Sequence, residues 1–311
     1  MTEVNFIKML IAIATFISVS SAKQLQISKS RPNNSIASAR SFESQTNINK
    51  LNILKLGVPP FSQNAPDNVI TIPSLVNLIL RSSNPNKITD TDAWFERNDL
   101  SLPTYRVPNP FRQISSNIPD NIPKSLRNNM LVKAIRHGDK EFLIYGRHFA
   151  ESRYLLIYDR AEDKFTRGYD FSNYIYSPSY LLEDKNYINQ TLNWVVPEDN
   201  ILYFSHSHNT YAQSSDEMNG YITALDLDTN QILWRSQSLV CNANNFVIID
   251  NVIICGYGFT AEPDYLYLVN KNTGEVLQQI KLKTAPNYII PKDNKLYVRT
   301  YDTDYVFSIQ K

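Results

Sequence analysis

YITALDLDTNQILW, Tyr221 to Trp234, and YLYLVNKNTGEVLQ, Tyr265 to Gln278, are two copies of one pattern in a chain of 311 residues. In the first copy Tyr221, Thr223 and Leu225 alternate with Ile222 and Ala224, a polar turn intervenes, and a second alternating run follows. A period of two is the spacing of a strand, because successive side chains of extended backbone point to opposite sides. The turns, Asp226 to Asn230 and Asn270 to Gly274, carry Asp and Asn side chains able to bond nearby backbone N–H groups. They end on Asn or Gly, which tolerate positive φ. Each copy therefore reads as strand, turn, strand.

A second signal precedes each unit: an apolar run, an Asp-Asn or Asp-Lys turn, and another apolar run. It occurs as AIRHGDKEFLIYG around Asp139, WVVPEDNILYFS around Asp199, VIIDNVIICG around Asp250 and YIIPKDNKLYV around Asp293. Joined to the first signal it gives four consecutive strands, A to D, in each unit of roughly 40 to 60 residues. A four-stranded antiparallel meander repeating at that period is a propeller blade. The expected fold class is all-β, a β-propeller of four-stranded antiparallel blades. Four blades are readable, and about five to seven are expected in total.

At this point the chain resembles the PQQ-like (quinoprotein-type) β-propeller repeat family, whose blade signature runs Ala-x-Asp-x-x-Thr-Gly-x-x-x-Trp. Ala224, Asp226, Thr229 and Trp234 match it, with Asn230 in place of the glycine. The next unit keeps Thr273 and Gly274, with Asn270 for the Asp and Gln278 for the Trp, and the unit around Asp159 is weaker. The resemblance covers residues 131–311. It implies that Trp234 locks neighbouring blades together. It invites a quinone cofactor, but the acidic base, calcium ligands and stacking tryptophan of the quinone dehydrogenases cannot be placed on this sequence, so no cofactor is expected. Trp94 and Trp194 have no motif context.

Upstream of the repeats the organisation changes. Residues 1–22 carry Lys8, an apolar run from Met9 to Val19, and small residues at Ser20 and Ala22, the pattern of a secretory signal peptide cleaved after Ala22. The run falls short of the ~20 residues that span a bilayer. No later segment comes close, so no integral membrane segment is expected after cleavage. There is no cysteine near the cleavage region to carry a lipid. A secreted or periplasmic protein follows. Residues 23–49, rich in Ser, Asn and Gln, read as a flexible leader. Residues 50–130 hold most of the prolines, including Pro59, Pro60, Pro103, Pro108, Pro110, Pro119 and Pro123. Proline cannot donate to a sheet ladder, so this part is expected to form edge strands and long loops. A degenerate blade could lie in Leu51 to Leu56, Val69 to Ile72, Leu75 to Arg81 and Lys87 to Thr91, or Ser74 to Leu80 could be a short helix. The last blade ends after three strands, and its exposed edge needs a partner. A strand from the N-terminal part, Leu51 to Leu56 first among them, is expected to supply it.

Lys and Arg number 31 against 30 Asp and Glu. This balance argues against a nucleic-acid partner, which needs a basic face for phosphates. Cys241 and Cys255 are the only cysteines. Extended pairing about Asp250 leaves Cys241 ~16 Å of strand too far along to reach Cys255, which favours two buried thiols. A chain that folds back after Cys241 would instead permit a disulfide in an oxidising compartment. Asn33-Asn34-Ser35 and Asn189-Gln190-Thr191 fit the glycosylation sequon, relevant only to a eukaryotic source.

In a radial meander the A-to-B and C-to-D turns share one face, and the B-to-C and D-to-A connections share the other. Here the first set is short and polar, the second long and aromatic. Aligning blades on Asp139, Asp199, Asp250 and Asp293 puts His148, His208, Phe259 and Asp302 at one position near the end of strand B. Two residues earlier stand Gly146, His206, Tyr257 and Thr300, preceded by Tyr145, Ser205, Gly256 and Arg299. The B-to-C loops carry Tyr211, Asp216, Glu217 and Glu262, and the connection Ser172 to Asn193 carries Tyr174, Tyr176, Tyr180 and Tyr187. The binding-face candidates are His148, His206, His208, Tyr211, Tyr257, Phe259, Arg299 and Asp302, since a concave aromatic face with a few polar groups is where ligands bind. They are expected near strand ends, where truncation disturbs packing little. Aromatic packing between blades would account for the same residues.

His206 and His208 point the same way but lack a third ligand at diagnostic spacing, so no metal is expected. There is no Gly-x-Ser-x-Gly elbow, no phosphate-cradling loop and no His-Glu-x-x-His. The sequence therefore reads as an exported, non-catalytic binding or scaffold propeller that holds a protein or glycan on its B-to-C loop face. The alternative is a carbohydrate-active or degenerate quinoprotein enzyme, using paired carboxylates such as Asp216 and Glu217 or Asp302 and Asp304 on that face.

Overall fold

The computed structural model describes residues 48, 51–57, 75–107, 116–148, 151–173, 180–189 and 191–311. The signal and leader expectations for residues 1–22 and 23–49, apart from Ile48, lie outside these, as do the strand candidate Val69 to Ile72 and Tyr174 and Tyr176. The N-terminal part supplies β1 (Ile53–Lys55), β2 (Asn77–Pro85), helix α1 (Thr91–Arg97) and β3 (Ser125–Leu126). Blade 1 follows as β4 (Asn129–His137), β5 (Lys140–Gly146), β6 (Tyr154–Asp159) and β7 (Lys164–Asp170). Blade 2 is β8 (Thr191–Glu198), β9 (Ile201–Ser207), β10 (Tyr221–Asp226) and β11 (Ile232–Arg235). Blade 3 is β12 (Val247–Ile249), β13 (Val252–Tyr257), β14 (Tyr265–Asn270) and β15 (Val276–Lys281). Blade 4 opens with β16 (Pro286–Lys292), β17 (Lys295–Thr300) and β18 (Thr303–Gln310).

The fold is thus an all-β propeller of antiparallel four-stranded blades, with four sheets among the described residues. The fourth strand of blade 4 does come from the N-terminal part, but it is β2, paired antiparallel with β18 from Asn77 opposite Gln310 to Pro85 opposite Thr303. The expected closing strand, Leu51 to Leu56, instead lies parallel to β7 on the outer edge of blade 1, with Ile53 opposite Gly168. The reason is packing: β2 turns Leu78 inward, beside Val76, into one apolar cluster with Ile289, Val298 and Phe307 of blade 4. Ser74 to Leu80 is accordingly no helix from Asn77 onward. Nor do the described candidates make a further blade: β1 joins the blade 1 sheet, which with β3 has six strands, and Lys87 to Thr91 is a 3-10 turn entering α1.

From α1 the chain bridges blade 4 to blade 1. Trp94 and Leu100 bury against Ile290 of β16. The Lys292 ammonium donates to the Asn98 and Asp99 carbonyls at 3.1 and 2.8 Å. Further on, Arg136 N–H donates to the Pro103 carbonyl and Tyr105 N–H to that of Ala134. At the inner strands, Lys133 of β4 donates to the carbonyls of Asn193 in blade 2 and Asn244 before β12, and Asn244 N–H donates to Asn287 of β16 at 3.0 Å. Burial lowers the Lys133 pKa to about 8.

The turns that carry the blade motif share one construction. Asp226 Oδ1 accepts from the N–H groups of Asp228 and Thr229 at 2.8 and 2.9 Å, Asn270 does the same for Asn272, and Asp159 for Ala161 and Glu162. Each turn then passes through positive φ, at Asn230 (57°), Gly274 (77°) and Asp163 (50°). Trp234 pairs across the ladder with buried Ala224 and lies against Gly274 of the next blade so closely that a Cβ there would meet its ring at 2.4 Å.

Cys241 and Cys255 form a disulfide, with Cα atoms 5.6 Å apart. This corrects the preference for free thiols. β12 begins only at Val247, so residues 241–246 do not extend it. They fold back, and Asn242 and Ala243 both donate to the Gly256 carbonyl at 2.9 and 3.1 Å.

Candidate functional site

The A-to-B hairpins fix the register of the loop face. Three of them turn at Asp199, Asp250 and Asp293, each at positive φ near 50°, while in blade 1 Gly138 (φ 56°) takes that place. Aligning on Asp139 therefore sets blade 1 one residue late. The equivalent residues are Arg147, His208, Phe259 and Asp302, and two before them Tyr145, His206, Tyr257 and Thr300; Tyr145 lies opposite Leu131 as His206 lies opposite Leu192 and Thr300 opposite Pro286. His148 leaves the ring position and bridges to Glu151, its side chain about half exposed.

Of the eight candidates, His206, His208, Tyr257 and Arg299 are buried, contrary to their expected place at the rim. Their polar atoms have work inside the fold. His206 stacks on Tyr221 with ring centroids 5.3 Å apart, and burial, then the Arg235 charge, push its pKa well below the usual imidazole range. His208 meets the Ser215 hydroxyl at 2.6 Å, and its backbone N–H donates to Asn219, so it holds the loop 208–220 in shape. Burial lowers its pKa to about 3. Tyr257 donates to Glu262 at 2.7 Å, and Glu262 also accepts from Ala212 N–H at 2.7 Å, which ties the B-to-C loops of blades 2 and 3 together.

Arg299 is a clasp. Its guanidinium donates twice to Asp304, at 2.7 and 3.0 Å, once to the Lys87 carbonyl at 2.7 Å and once to Asp90, and it lies 5.5 Å from the Trp94 ring. It fastens the bridge that leaves β2 to the sheet that β2 completes. Asp302 accepts from Thr284 and Thr303 at 2.8 and 2.7 Å and pairs with Lys283 at 3.2 Å, capping the β17–β18 return.

What reaches solvent is a layer further out. Leu181 N–H donates to the Ser214 carbonyl at 2.8 Å, and the Ser214 hydroxyl donates to Asp184 at 2.6 Å, so the blade 1–2 connection is knitted to the loop 208–220. Tyr211 meets Phe259 edge-on with centroids 5.2 Å apart. On this platform Leu182 is 78% exposed, Leu181 44%, Tyr187 40% and Tyr211 36%. The Leu181-Leu182 pair was missed in the sequence, where a leucine pair outside any alternating run, followed at once by Glu183 and Asp184, was the available signal. Asp264 was also passed over. Burial, then Glu262 and Asp302, raise its pKa to about 6. Among the described residues no group of three or more His, Cys, Asp or Glu is arranged to hold a metal ion, and no helix is long and apolar enough to cross a membrane.

The class of protein is therefore an all-β propeller with a built platform of loops on one face. No family model matches the chain, and no curated protein matches it. Solved structures similar to it include the computationally designed Ika4 protein (TM-score 0.36, 12% identity, 56% of this chain and 87% of that one). BamB from Moraxella catarrhalis gives a TM-score of 0.32 at 11% identity over 56% of this chain and 57% of its own, and the AfRom2 CNH domain 0.35 at 10% over 59% and 51%. The chain thus spans little more than half of each of these last two.

Proposed function

We propose that this protein is an exported, non-catalytic binding propeller that holds a protein on the platform formed by loops 181–189, 208–220 and 258–264. The observation that carries this reading is the exposure of Leu181, Leu182, Tyr187 and Tyr211 on loops that hydrogen bonds fasten to one another. Grouped apolar residues on a rigid, polar-rimmed surface are the mark of an interface. Export is supported by the signal pattern of residues 1–22 and by the buried Cys241–Cys255 disulfide, since such bonds persist in oxidising compartments. A carboxylate enzyme on the same face draws on Asp264, whose pKa near 6 suits a general acid. Against it, both oxygens of neighbouring Glu262 already accept bonds from the protein itself.

The test is capture of a partner from the native compartment by the immobilised chain. Leu182→Ser with Tyr211→Ser should abolish capture at an unchanged Tm, while Lys140→Ala with Lys295→Ala, exposed on the opposite face, should leave it intact. Capture weakened by the control pair and not by the platform pair would put the interface on the wrong side of the disc.

A further inference from the structure

The inner strands meet around a cation that the fold does not neutralise. Six residues before the positive-φ turn positions Gly138, Asp199, Asp250 and Asp293 stand Val132, Asn193, Asn244 and Asn287, one to each blade. At Val132, Asn193 and Asn287 the pairing of the blade's first two strands skips a residue. A bulge of this kind leaves one residue out of the ladder and re-aims it. All four positions, and Lys133 beside the first, are partly exposed although they lie at the innermost strands. We infer that this is a site for a small carboxylate anion, held by the Lys133 ammonium and the Asn287 amide and reached from the loop face. The inference goes beyond the platform reading and does not depend on it.

Lys133 ties these positions to one another. It donates to the Asn193 carbonyl and, at 3.4 Å, to that of Asn244, whose own N–H donates to the Asn287 carbonyl at 3.0 Å. Its Nζ lies 5.6 Å from the Trp194 ring. An ammonium carries three donors, so one is left over, and among the described residues no carboxylate pairs with it. A neutral donor would pin the blades through the same two carbonyls, whereas a cation withdrawn from water without a counter-charge is costly. The charge is therefore surplus to the pinning. Asn287 gives its carbonyl to Asn244 and keeps its side-chain amide, with two donors, for another partner. On the turn-face side the strap from α1 runs along β4 just past Lys133: Tyr105 N–H donates to the Ala134 carbonyl at 3.0 Å, and Thr104 pairs with Ile135. That leaves the loop face as the way in. One ammonium beside one amide suits a single negative charge shared by two oxygens, which is a carboxylate.

The carbon-13 resonance of the Lys133 ε-carbon, assigned through its backbone amide, reads the site in the full chain. Acetate should move it saturably at fixed ionic strength, where chloride at the same concentration does not. N-acetylalanine, a carboxylate at the end of a peptide-like group, should move it too, and N-acetylalaninamide, which lacks the charge, should not. Binding of N-acetylalanine about tenfold or more tighter than acetate would assign the site to the C-terminus of a peptide. Weaker discrimination would assign it to a free organic acid. Asn287→Leu should weaken acetate about fivefold, as loss of one hydrogen bond does. The parent chain should also melt higher in acetate than in chloride, because a ligand of the folded state stabilises it, and Lys133→Gln should lose that difference. A resonance indifferent to acetate, or moved as much by N-acetylalaninamide as by N-acetylalanine, would overturn the site and leave Lys133 as a pin between blades. An Asn287→Leu chain that binds acetate as the parent does would overturn the assignment of Asn287.

Discussion

The two faces of this disc solve the problem of ending a strand in different ways. On the turn face the hairpins are satisfied close by: Asp226 and Asn270 bond the N–H groups two residues on, Leu227 and Lys271 N–H of the C-to-D turns donate to Asn200 and Asn251 of the A-to-B turns, and the positive φ angles fall on Asp, Asn or Gly. Such turns need only near partners for their backbone groups, and they are short. On the loop face the strand ends are satisfied at a distance. His208 holds Ser215, Tyr257 holds Glu262, and Arg299 holds Lys87 and Asp90 more than two hundred residues upstream. The difference teaches that a ring of polar and aromatic side chains at strand ends is scaffolding when long loops lie above it. The surface a partner meets is the next layer out.

The largest test of that layering is Arg299. Replacing it by Met leaves the mostly buried Asp304 without its cation and takes one of two from Asp90, which also pairs with Arg97 at 3.6 Å; breaking a buried pair in this way costs about 3 to 5 kcal/mol. Chemical denaturation should show it, and a loss under about 1 kcal/mol would return Arg299 to the rim. Next is the disulfide, which pins the blade 2–3 connection to β13. With a sequence separation of 14, changing both cysteines to Ala should cost about 3 kcal/mol. A melting temperature unmoved by reductant in the parent chain would contradict it.

Acid should act on the loop face through its histidines. The folded pKa of His208 is about 3 against an ordinary 6.5, so the unfolded chain takes up the proton first and stability falls as pH drops below 6.5. At pH 5 the loss relative to neutral pH is about 2 kcal/mol, and His206 adds to it in the same direction. The difference between parent and His208→Gln, measured from pH 7.5 to 5, isolates the effect because no charged group bonds His208. Parallel pH profiles for the two chains would show that His208 titrates normally and is open to water.

The repeat architecture was legible because period-two alternation and Asx turns are local physics, repeated from unit to unit. The identity of the closing strand was not. Leu51 to Leu56 and Asn77 to Pro85 are both only partly apolar, and what separates them is that Leu78 joins the blade 4 cluster of Phe307, more than two hundred residues on. The site was legible as a face and not as residues. His206 and Arg299 look alike in sequence whether they meet a partner or the protein's own loops, since burial is decided by the chain above them. The one-residue slip at His148 has a similar origin, because Gly138 replaces the Asp that marks the other three hairpins.

The finest test sets the two layers of the loop face side by side at Tyr257 and Leu182. Tyr257→Phe keeps the ring and removes one hydroxyl, but that hydroxyl is the donor to Glu262, whose other oxygen holds Ala212. Leaving a buried carboxylate oxygen without its donor should cost about 1 to 2 kcal/mol, and the loops of blades 2 and 3 should then exchange amide hydrogens faster. Leu182→Ser removes a whole apolar side chain, yet 78% of that residue already faces water, so stability should move by about 0.5 kcal/mol or less. The smaller chemical change is thus expected to have the larger effect on folding, and the larger one to be felt only in binding. If Leu182→Ser destabilises the chain more than Tyr257→Phe does, the leucine belongs to the packed layer and the platform is part of the core.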